Sequence, residues 1–249
     1  MTLSIRQFPC LSDNYGFLIK DDASGQVAVI DTPDAEAILS ELAASGWGRL
    51  DFIFNTHWHP DHAGGNARLK DETGCDIIGP QEVTRIAPLD RAVAGGDEVR
   101  LGETSFQLLD AGGHTLGHIA WWSPRARVAF VGDSLFVLGC GRMFEGTPDQ
   151  FWASLERLAA LPDDTTVYCA HEYSEANARF ALSVDDDPVV AARAEAVFAQ
   201  RTAGRPTVPT TIGEERATNP FLRAPQLRPD LDPVAAFARL RAAKDAFKG

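Results

Sequence analysis

Residues 55–66 read NTHWHPDHAGGN and place three imidazoles and one carboxylate within six positions. The stretch follows an apolar run typical of a β-strand and precedes a segment of helical composition. His57 and His59 are two positions apart, so an extended backbone directs both to the same side. With Asp61 and His62 they form a ligand set suited to zinc, iron or manganese, not to calcium or magnesium alone. We therefore predict a metal site here; an exposed His-rich loop is the simpler alternative.

Three further ligand-type residues follow predicted strands, at the positions where α/β folds place their chemistry. His114 lies just past the run 105–110, Asp133 ends the run 128–133, and His171 follows the run 166–169. Together with the first motif they make seven candidate ligands, which are too many for one tetrahedral zinc and suit two metals that share a carboxylate and a water. The candidates are His57, His59, Asp61, His62, His114, Asp133 and His171.

Two other residues near these positions have no place in that set. His118 is expected to pack behind the ligands or to support them, rather than to bind metal. Asp31 ends another apolar run. It either orients a ligand imidazole through a hydrogen bond or simply caps a strand, and the sequence leaves both open.

Short runs rich in β-branched and aromatic residues alternate with helical segments up to residue 171, which predicts a mixed α/β domain with two sheets or one large sheet. The first three strands have only turn residues between them, so we expect them to be antiparallel neighbours. The predicted strands are 3–8, 15–20, 26–31, 51–55, 76–78, 105–110, 118–123, 128–133 and 166–169. The predicted helices are 34–45, 150–161, 175–182, 189–200 and 233–247.

Charge and composition change near residue 171 of this 249-residue chain, whose net charge is −12. All six His and all five Trp precede the change, and only helical patterns follow it. We predict domains 1–171 and 172–249, the second all-helical.

The acidic balance of the chain argues against nucleic-acid partners and a polybasic membrane anchor. With no leader pattern, no long apolar run and four scattered cysteines, we expect a cytoplasmic protein with reduced thiols, and a monomer.

The His57-x-His59-x-Asp61-His62 motif resembles that of the metallo-β-lactamase superfamily. The resemblance implies an αββα sandwich with the site at one edge of its two sheets. It assigns His57, His59 and His114 to one metal. It assigns Asp61, His62 and His171 to the other, with Asp133 bridging the two.

Longer segments resemble one family within that superfamily, the glyoxalase II or hydroxyacylglutathione hydrolase family. They are residues 132–147, 169–173, 219–223 and 241–248. The resemblance implies hydrolysis of S-(2-hydroxyacyl)glutathione thioesters, chiefly S-lactoylglutathione to lactate and glutathione in methylglyoxal degradation. A metal-bridging hydroxide would act there, with Asp61 and Asp133 as catalytic residues. The implied cofactors are two divalent ions, zinc first, with iron or manganese as alternatives. A glutathione persulfide dioxygenase with a single iron is the alternative function.

The same resemblance implies the residues that bind glutathione, which are Arg142, Phe144, Tyr173, Arg241 and Lys244. At Phe144 the chain departs from a family pattern that often has Tyr, which removes one possible hydrogen bond to the tripeptide. The charge of the substrate gives a second reason for these basic residues, because an acidic protein needs a local positive patch to attract an anion. A solvated helix face is the simpler reading of residues 239–248.

Overall fold

The computed structural model describes residues 3–249, so Met1 and Thr2, with which the predicted first domain begins, lie outside the described range. The described strands are β1 Leu3–Cys10, β2 Asn14–Asp21, β3 Val27–Ile30, β4 Phe52–Phe54, β5 Asp76–Gly79, β6 Arg91–Ala92, β7 Glu98–Leu101, β8 Thr104–Asp110, β9 Ile119–Ser123, β10 Val128–Gly132, β11 Leu135–Phe136, β12 Gly139–Cys140, β13 Thr166–Cys169 and β14 Thr210–Thr211.

The helices occupy the segments between these strands and most of the C-terminal third of the chain. They are α1 Ala35–Ser45, α2 Pro60–Ala63, α3 Asn66–Thr73, α4 Pro148–Ala159, α5 Ser174–Val184, α6 Pro188–Thr202, α7 Ile212–Thr218, α8 Ala224–Leu227 and α9 Pro233–Ala246, with a 3-10 helix at Gln81–Arg85. The chain divides into two compact units. Among the described residues, the first unit comprises 3–110 and Gly117–Gly132, and the second comprises Ala111–Leu116 and Asp133–Gly249.

In the first unit, β1 to β6 form a mixed sheet in chain order. β1, β2 and β3 pair antiparallel, as predicted, and β3 to β6 pair parallel. Every residue of β3 is buried, as expected for a central strand of a sheet covered on both faces. Helix α1 covers one face with Ile38 and Leu42. The Asp34 side chain caps its first turn by accepting from the N–H groups of Glu36 and Ala37.

The antiparallel meander β7-β8-β9-β10 packs against the other face of that sheet. Phe54 of β4 stacks on Trp121 of β9, with ring centroids 4.3 Å apart and planes within 6°. Phe17 of β2 contacts Phe130 of β10 at 5.7 Å. The first unit therefore consists of one helix layer and two sheet layers. The segment that follows β4 begins beside the aromatic contacts between the two sheets.

The second unit is mainly helical. The N-terminal turn of α4 is capped by the Thr147 hydroxyl, and its apolar face contacts α9 through Phe151 and Phe237, whose rings are 5.5 Å apart. Two short antiparallel pairs, β11 with β12 and β13 with β14, complete it.

Each strand and helix that the sequence predicts is present, with ends displaced by at most a few residues. The sequence indicated α3 only as a helical stretch after the motif. It missed other elements of two to seven residues, which are too short for a period to be visible. One of them, β14, interrupts the predicted all-helical C-terminal segment: the β-branched Thr210 and Thr211 pair with β13. Within residues 3–249, none of the helices has both the length and the apolar character that crossing a bilayer requires.

All four cysteines are buried and form no disulfide. Burial raises the pKa of the Cys10 thiol to about 12 and that of Cys140 to about 11. The thiols of Cys75 and Cys169 are shifted in the same direction for the same reason. Each therefore stays protonated at neutral pH.

Candidate metal centre and glutathione-binding residues

The first unit brings the four residues of the central motif together in the segment between β4 and the end of α2. Nε2 of His57 lies 3.1 Å from Nδ1 of His59. Nε2 of His62 lies 3.5 Å from Oδ2 of Asp61. His57 and His62 are fully buried. An exposed His-rich loop is therefore the wrong reading of this motif.

Asp31 orients two of these imidazoles through their second ring nitrogens. Its Oδ2 lies 2.8 Å from Nδ1 of His62 and accepts a hydrogen bond from the Thr56 hydroxyl at 2.7 Å. That hydroxyl is 3.0 Å from Nδ1 of His57. A carboxylate on the outer nitrogen of an imidazole is the usual support of a metal-binding His, since it fixes the tautomer that leaves Nε2 as a lone-pair donor. The orienting role, not strand capping alone, is thus the one the structure supports for Asp31.

Two further residues support the motif within the first unit. Asn14, at the start of β2, donates from Nδ2 to Oδ2 of Asp61 at 3.1 Å. Sequence reasoning missed Asn14, because it lies far from the motif along the chain and a single Asn after a turn carries no signal. His118 is buried, and its ring stacks on His57 with centroids 4.7 Å apart. His118 therefore packs behind a candidate ligand, as the sequence predicts.

The second unit brings together the other three candidate ligands. Oδ2 of Asp133 lies 3.3 Å from Nε2 of His114, and Oδ1 lies 3.3 Å from Nε2 of His171. All three side chains are buried. The two oxygens of one carboxylate therefore face two different imidazoles, which is the arrangement expected of a carboxylate shared by two metal ions.

The loop that carries His114 is fixed from several sides within the second unit. The Ser154 hydroxyl of α4 donates to the carbonyl of Gly112 at 2.7 Å. Gly113 has φ of +142°, and a β-carbon there would collide with the Phe151 ring. Nδ1 of His114 lies 2.8 Å from the carbonyl oxygen of Arg142 and donates to it, which leaves Nε2 to face Asp133.

The donor spacings in both units fit divalent metal ions. Two ligand atoms bound to one tetrahedral ion, each about 2.0–2.1 Å from it, lie about 3.3 Å apart. The spacings within the two groups range from 3.1 to 3.5 Å. Asp31, His57 and His62 also form a group of ligand-type atoms, and the hydrogen bond between Asp31 and His62 accounts for that proximity. His and Asp donors at these distances favour divalent transition-metal binding.

Three of the predicted glutathione-binding residues lie beside this second-unit group and are exposed. Phe144, 59 % exposed, has its ring edge-on to His114 at 5.3 Å. Tyr173, 40 % exposed, stacks on His171 at 4.7 Å with nearly parallel rings. The guanidinium of Arg142 lies 5.8 Å from the Phe144 ring and 3.5 Å from the Asp245 carboxylate. A cation and two aromatic rings thus border the candidate ligands and can contact a substrate.

Arg241 and Lys244 share one face of α9, as their spacing predicts. Arg241 is only 5 % exposed, and its guanidinium donates to the Cys140 carbonyl at 2.9 Å and to Asp245 at 3.0 Å. Lys244 donates to the Ala176 carbonyl at 2.8 Å. Burial, together with the charge of Arg241, lowers the pKa of Lys244 to about 8. Direct contact of Arg241 and Lys244 with glutathione stays a prediction.

Two family models together cover almost the whole chain. The model described as the metallo-beta-lactamase superfamily matches residues 14–171, and the model described as the hydroxyacylglutathione hydrolase C-terminus matches residues 172–247. The chain belongs to the hydroxyacylglutathione hydrolase family. The resemblance noted from the motifs is therefore confirmed.

Individual hydroxyacylglutathione hydrolases match along their full length. The hydroxyacylglutathione hydrolase of Erythrobacter litoralis is 53 % identical over 251 residues, which cover 98 % of this chain and 100 % of that protein. The one from Maricaulis maris is 52 % identical, with 98 % and 99 % covered.

Solved structures share the fold of this member of the hydroxyacylglutathione hydrolase family. A crystal structure of ETHE1 from Myxococcus xanthus matches with a TM-score of 0.71 and 28 % identity, covering 96 % of this chain and 90 % of that one. TTHA1623, crystallised in a di-iron-bound form, matches with a TM-score of 0.63 and 25 % identity, covering 88 % and 100 %. The metallo-β-lactamase fold with a helical C-terminal region is thereby confirmed.

Proposed function

We propose that this protein is a thioester hydrolase that converts S-(2-hydroxyacyl)glutathione, chiefly S-lactoylglutathione, to the 2-hydroxy acid and glutathione, as in methylglyoxal degradation. The observation that carries the proposal is the Asp133 carboxylate, whose two oxygens face His114 and His171 at 3.3 Å each. That arrangement occurs in a chain whose relatives at about 50 % identity are named hydroxyacylglutathione hydrolase. A carboxylate shared in this way would bind two metal ions, and two ions are suited to acyl transfer from a thioester.

We propose that two divalent ions bind to the seven candidate ligands, zinc first, with iron or manganese as alternatives. His57, His59 and His114 would hold one ion, and Asp61, His62 and His171 the other. Asp133 would be shared, so Asp61 and Asp133 are the proposed catalytic carboxylates. Divalent ions in such a donor set lower the pKa of water to about 7 and polarise a carbonyl group. The di-iron form of TTHA1623 supports a pair of ions and keeps iron among the candidates.

The chain's own residues would bind the glutathione part of the substrate. Glutathione carries two carboxylates, which suit the exposed guanidinium of Arg142 and the ammonium of Lys244. Tyr173 offers a hydroxyl and a ring face, whereas Phe144 offers only a ring. Arg241 is proposed to bind glutathione too. Its bond to the Cys140 carbonyl gives it a second role, that of holding the segment before Arg142 in place.

The comparisons favour the hydrolase over a glutathione persulfide dioxygenase with a single iron. The full-length relatives carry the hydrolase name, and the C-terminal region matches the hydrolase model. The chain also brings seven candidate donors into two groups, more than a single tetrahedral ion needs. We expect thioester cleavage without an added oxidant.

The deciding experiment measures hydrolysis of S-lactoylglutathione by purified protein whose metal content has been determined. We expect about two equivalents of metal per chain and release of free thiol in step with loss of the thioester. One equivalent of iron, with oxygen consumed on glutathione persulfide and no thioester hydrolysis, would contradict the proposal.

Three further properties are proposed alongside the activity. We place the domain boundary near residue 171, supported by the change in composition there and by the two family models meeting at that position. We propose a monomer with no nucleic-acid or membrane partner, supported by a net charge of −12. We propose a cytoplasmic location, supported by four buried cysteines without a disulfide, which are typical of reducing compartments.

A further inference from the structure

The segment 219–223 is among those whose sequence resembles the family, yet none of its residues is a candidate ligand or substrate contact. Asn219 is nonetheless fully buried in the second unit. Its Nδ2 donates to the carbonyls of Phe136 at 3.1 Å and Gly139 at 2.9 Å. These carbonyls belong to the hairpin formed by β11 and β12, which lies about 80 positions earlier in the chain.

That hairpin needs support from outside itself. Each of its strands has two residues and they pair only with each other, although a hairpin of this length is not stable on its own. Its turn residue Leu138 has φ of +55°, a region that disfavours residues with a β-carbon. Leu135, Val137 and Leu138 are completely buried, so backbone groups outside the ladder need partners from the protein.

Side chains from two helices supply those partners. The Glu215 carboxylate of α7 accepts from the Leu138 N–H at 2.8 Å and from Asn219 Nδ2 at 2.9 Å. The Asn177 amide of α5 donates to the Val137 carbonyl at 3.1 Å. We call Asn177, Glu215 and Asn219 the hairpin clamp. Because its amide nitrogen has two hydrogens, Asn219 shares one of them between two of its three acceptors. These bonds tie the turn of the hairpin to α5 and α7.

The two ends of the hairpin lead to residues of the proposed site. Asp133, the proposed shared ligand, precedes β11 by two residues, and Arg142, a proposed glutathione contact, follows β12 by two. Within the hairpin, the Phe136 ring is edge-on to His171 at 6.0 Å and to Tyr173 at 5.4 Å. A shift of the hairpin therefore displaces a metal-ligand residue and two substrate-binding residues together.

We propose that Asn219 and Glu215 are positioning residues, which through the β11–β12 hairpin set the placement of Asp133 for metal binding and of Arg142 for glutathione binding. This inference rests on the proposed function and assigns a task to the segment 219–223. It predicts that loss of the clamp weakens metal binding and raises KM, rather than only lowering stability.

The test compares Asn219→Ala with a matched variant, Asp185→Ala. Asp185 is also a buried polar residue of the second unit, and its carboxylate binds Arg223 at 2.7 Å, but none of its hydrogen bonds goes to the hairpin. Both variants are expected to unfold at lower denaturant concentration. In metal-loaded Asn219→Ala, amide exchange of residues 134–143 should accelerate. Zinc affinity, measured by chelator competition, should fall about 10- to 100-fold, the range seen when residues supporting metal ligands are removed.

Three outcomes decide the inference. Asn177→Ala removes a single clamp bond and should also accelerate amide exchange and lower zinc affinity, both by less than Asn219→Ala does. If Asn219→Ala does not fold, Asn177→Ala provides the test. Glu215→Gln keeps an oxygen that can accept from the Leu138 N–H. It should therefore retain most of the zinc affinity and of the protection from amide exchange that Glu215→Ala loses. If Asn219→Ala and Asn177→Ala instead match Asp185→Ala in zinc affinity and exchange, the clamp serves only stability. Exchange and zinc affinity need no substrate, so a failure of the proposed hydrolysis would be seen separately.

Discussion

In the first unit, four candidate ligands lie on one six-residue stretch between β4 and the end of α2, whereas in the second unit three come from three separate segments. The first group gains its order mainly from local backbone and from Asp31. The second group depends on side chains that reach over long sequence distances, such as Ser154 to the His114 loop and Asn219 to the hairpin after Asp133. A contiguous motif can supply donors by itself, but a dispersed one needs a scaffold.

The largest expected effect comes from removing the centre of the dispersed group. Asp133→Ala should lose both metal ions and lower kcat/KM about a thousandfold or more, because bound metal contributes several kcal/mol to the transition state. Metal analysis and the thioester assay measure the two losses. Asp61→Ala should cost one ion, and the exposed Asp149→Ala is the control. Two ions retained in Asp133→Ala with near-normal turnover would exclude Asp133 from the site.

The second-largest expected effect is a loss of metal affinity when a residue that supports the first-unit ligands is removed. Asp31→Ala removes the acceptor of His62 Nδ1 and of the Thr56 hydroxyl, so metal affinity should fall about 10- to 100-fold. Asn14→Ala, which removes one bond to Asp61, should cost less. Chelator competition gives both numbers. Equal losses in the two variants would mean that Asp31 does not act through His62.

A third prediction separates the two basic residues of α9. Arg241→Ala removes a buried guanidinium that holds the Cys140 carbonyl, so the free energy of unfolding should fall by about 1.5–3 kcal/mol. KM should rise as well, since the segment before Arg142 is released. Lys244→Ala should raise KM with kcat little changed. Denaturant titrations and steady-state kinetics distinguish them, with the exposed Lys248→Ala as control. If Arg241→Ala is as stable as wild type, its bonds to the hairpin are not structural.

The smallest expected effect is a pH dependence from Lys244, whose pKa of about 8 is set by burial and by the charge of Arg241, partly offset by Asp245. As pH rises through 8 the ammonium loses its charge, so KM should increase between pH 7 and 9. Lys244→Arg stays charged and should lack this part of the increase. The effect on stability has the opposite sign: the unfolded chain holds this proton up to about 10.4, so Lys244's contribution to the free energy of unfolding increases between pH 8 and 10.4. Identical pH profiles of KM in the two proteins would remove Lys244 from the binding site.

The sequence alone predicted most of the fold, because the strands have strong apolar patterns and α1 and α9 have recognisable first turns. It also predicted seven candidate ligands, which the structure brings into two groups, since each lies in a short motif or a few residues after a strand. Residues such as Asn14 and Glu215 could not be found that way. Their partners lie 47 and 77 positions away, and a buried polar residue has no period that reveals what it will contact.

The buried cysteines have a consequence for side reactions. A protein that handles thioesters is exposed to acyl exchange, in which a protein thiolate attacks the substrate and retains the acyl group. Cys140 lies only two residues from Arg142, yet it is 5 % exposed and its pKa is about 11. At neutral pH such a thiol offers almost no thiolate and no path for an incoming carbonyl. Transfer of an acyl group from the substrate to the Cys140 sulfur is therefore disfavoured.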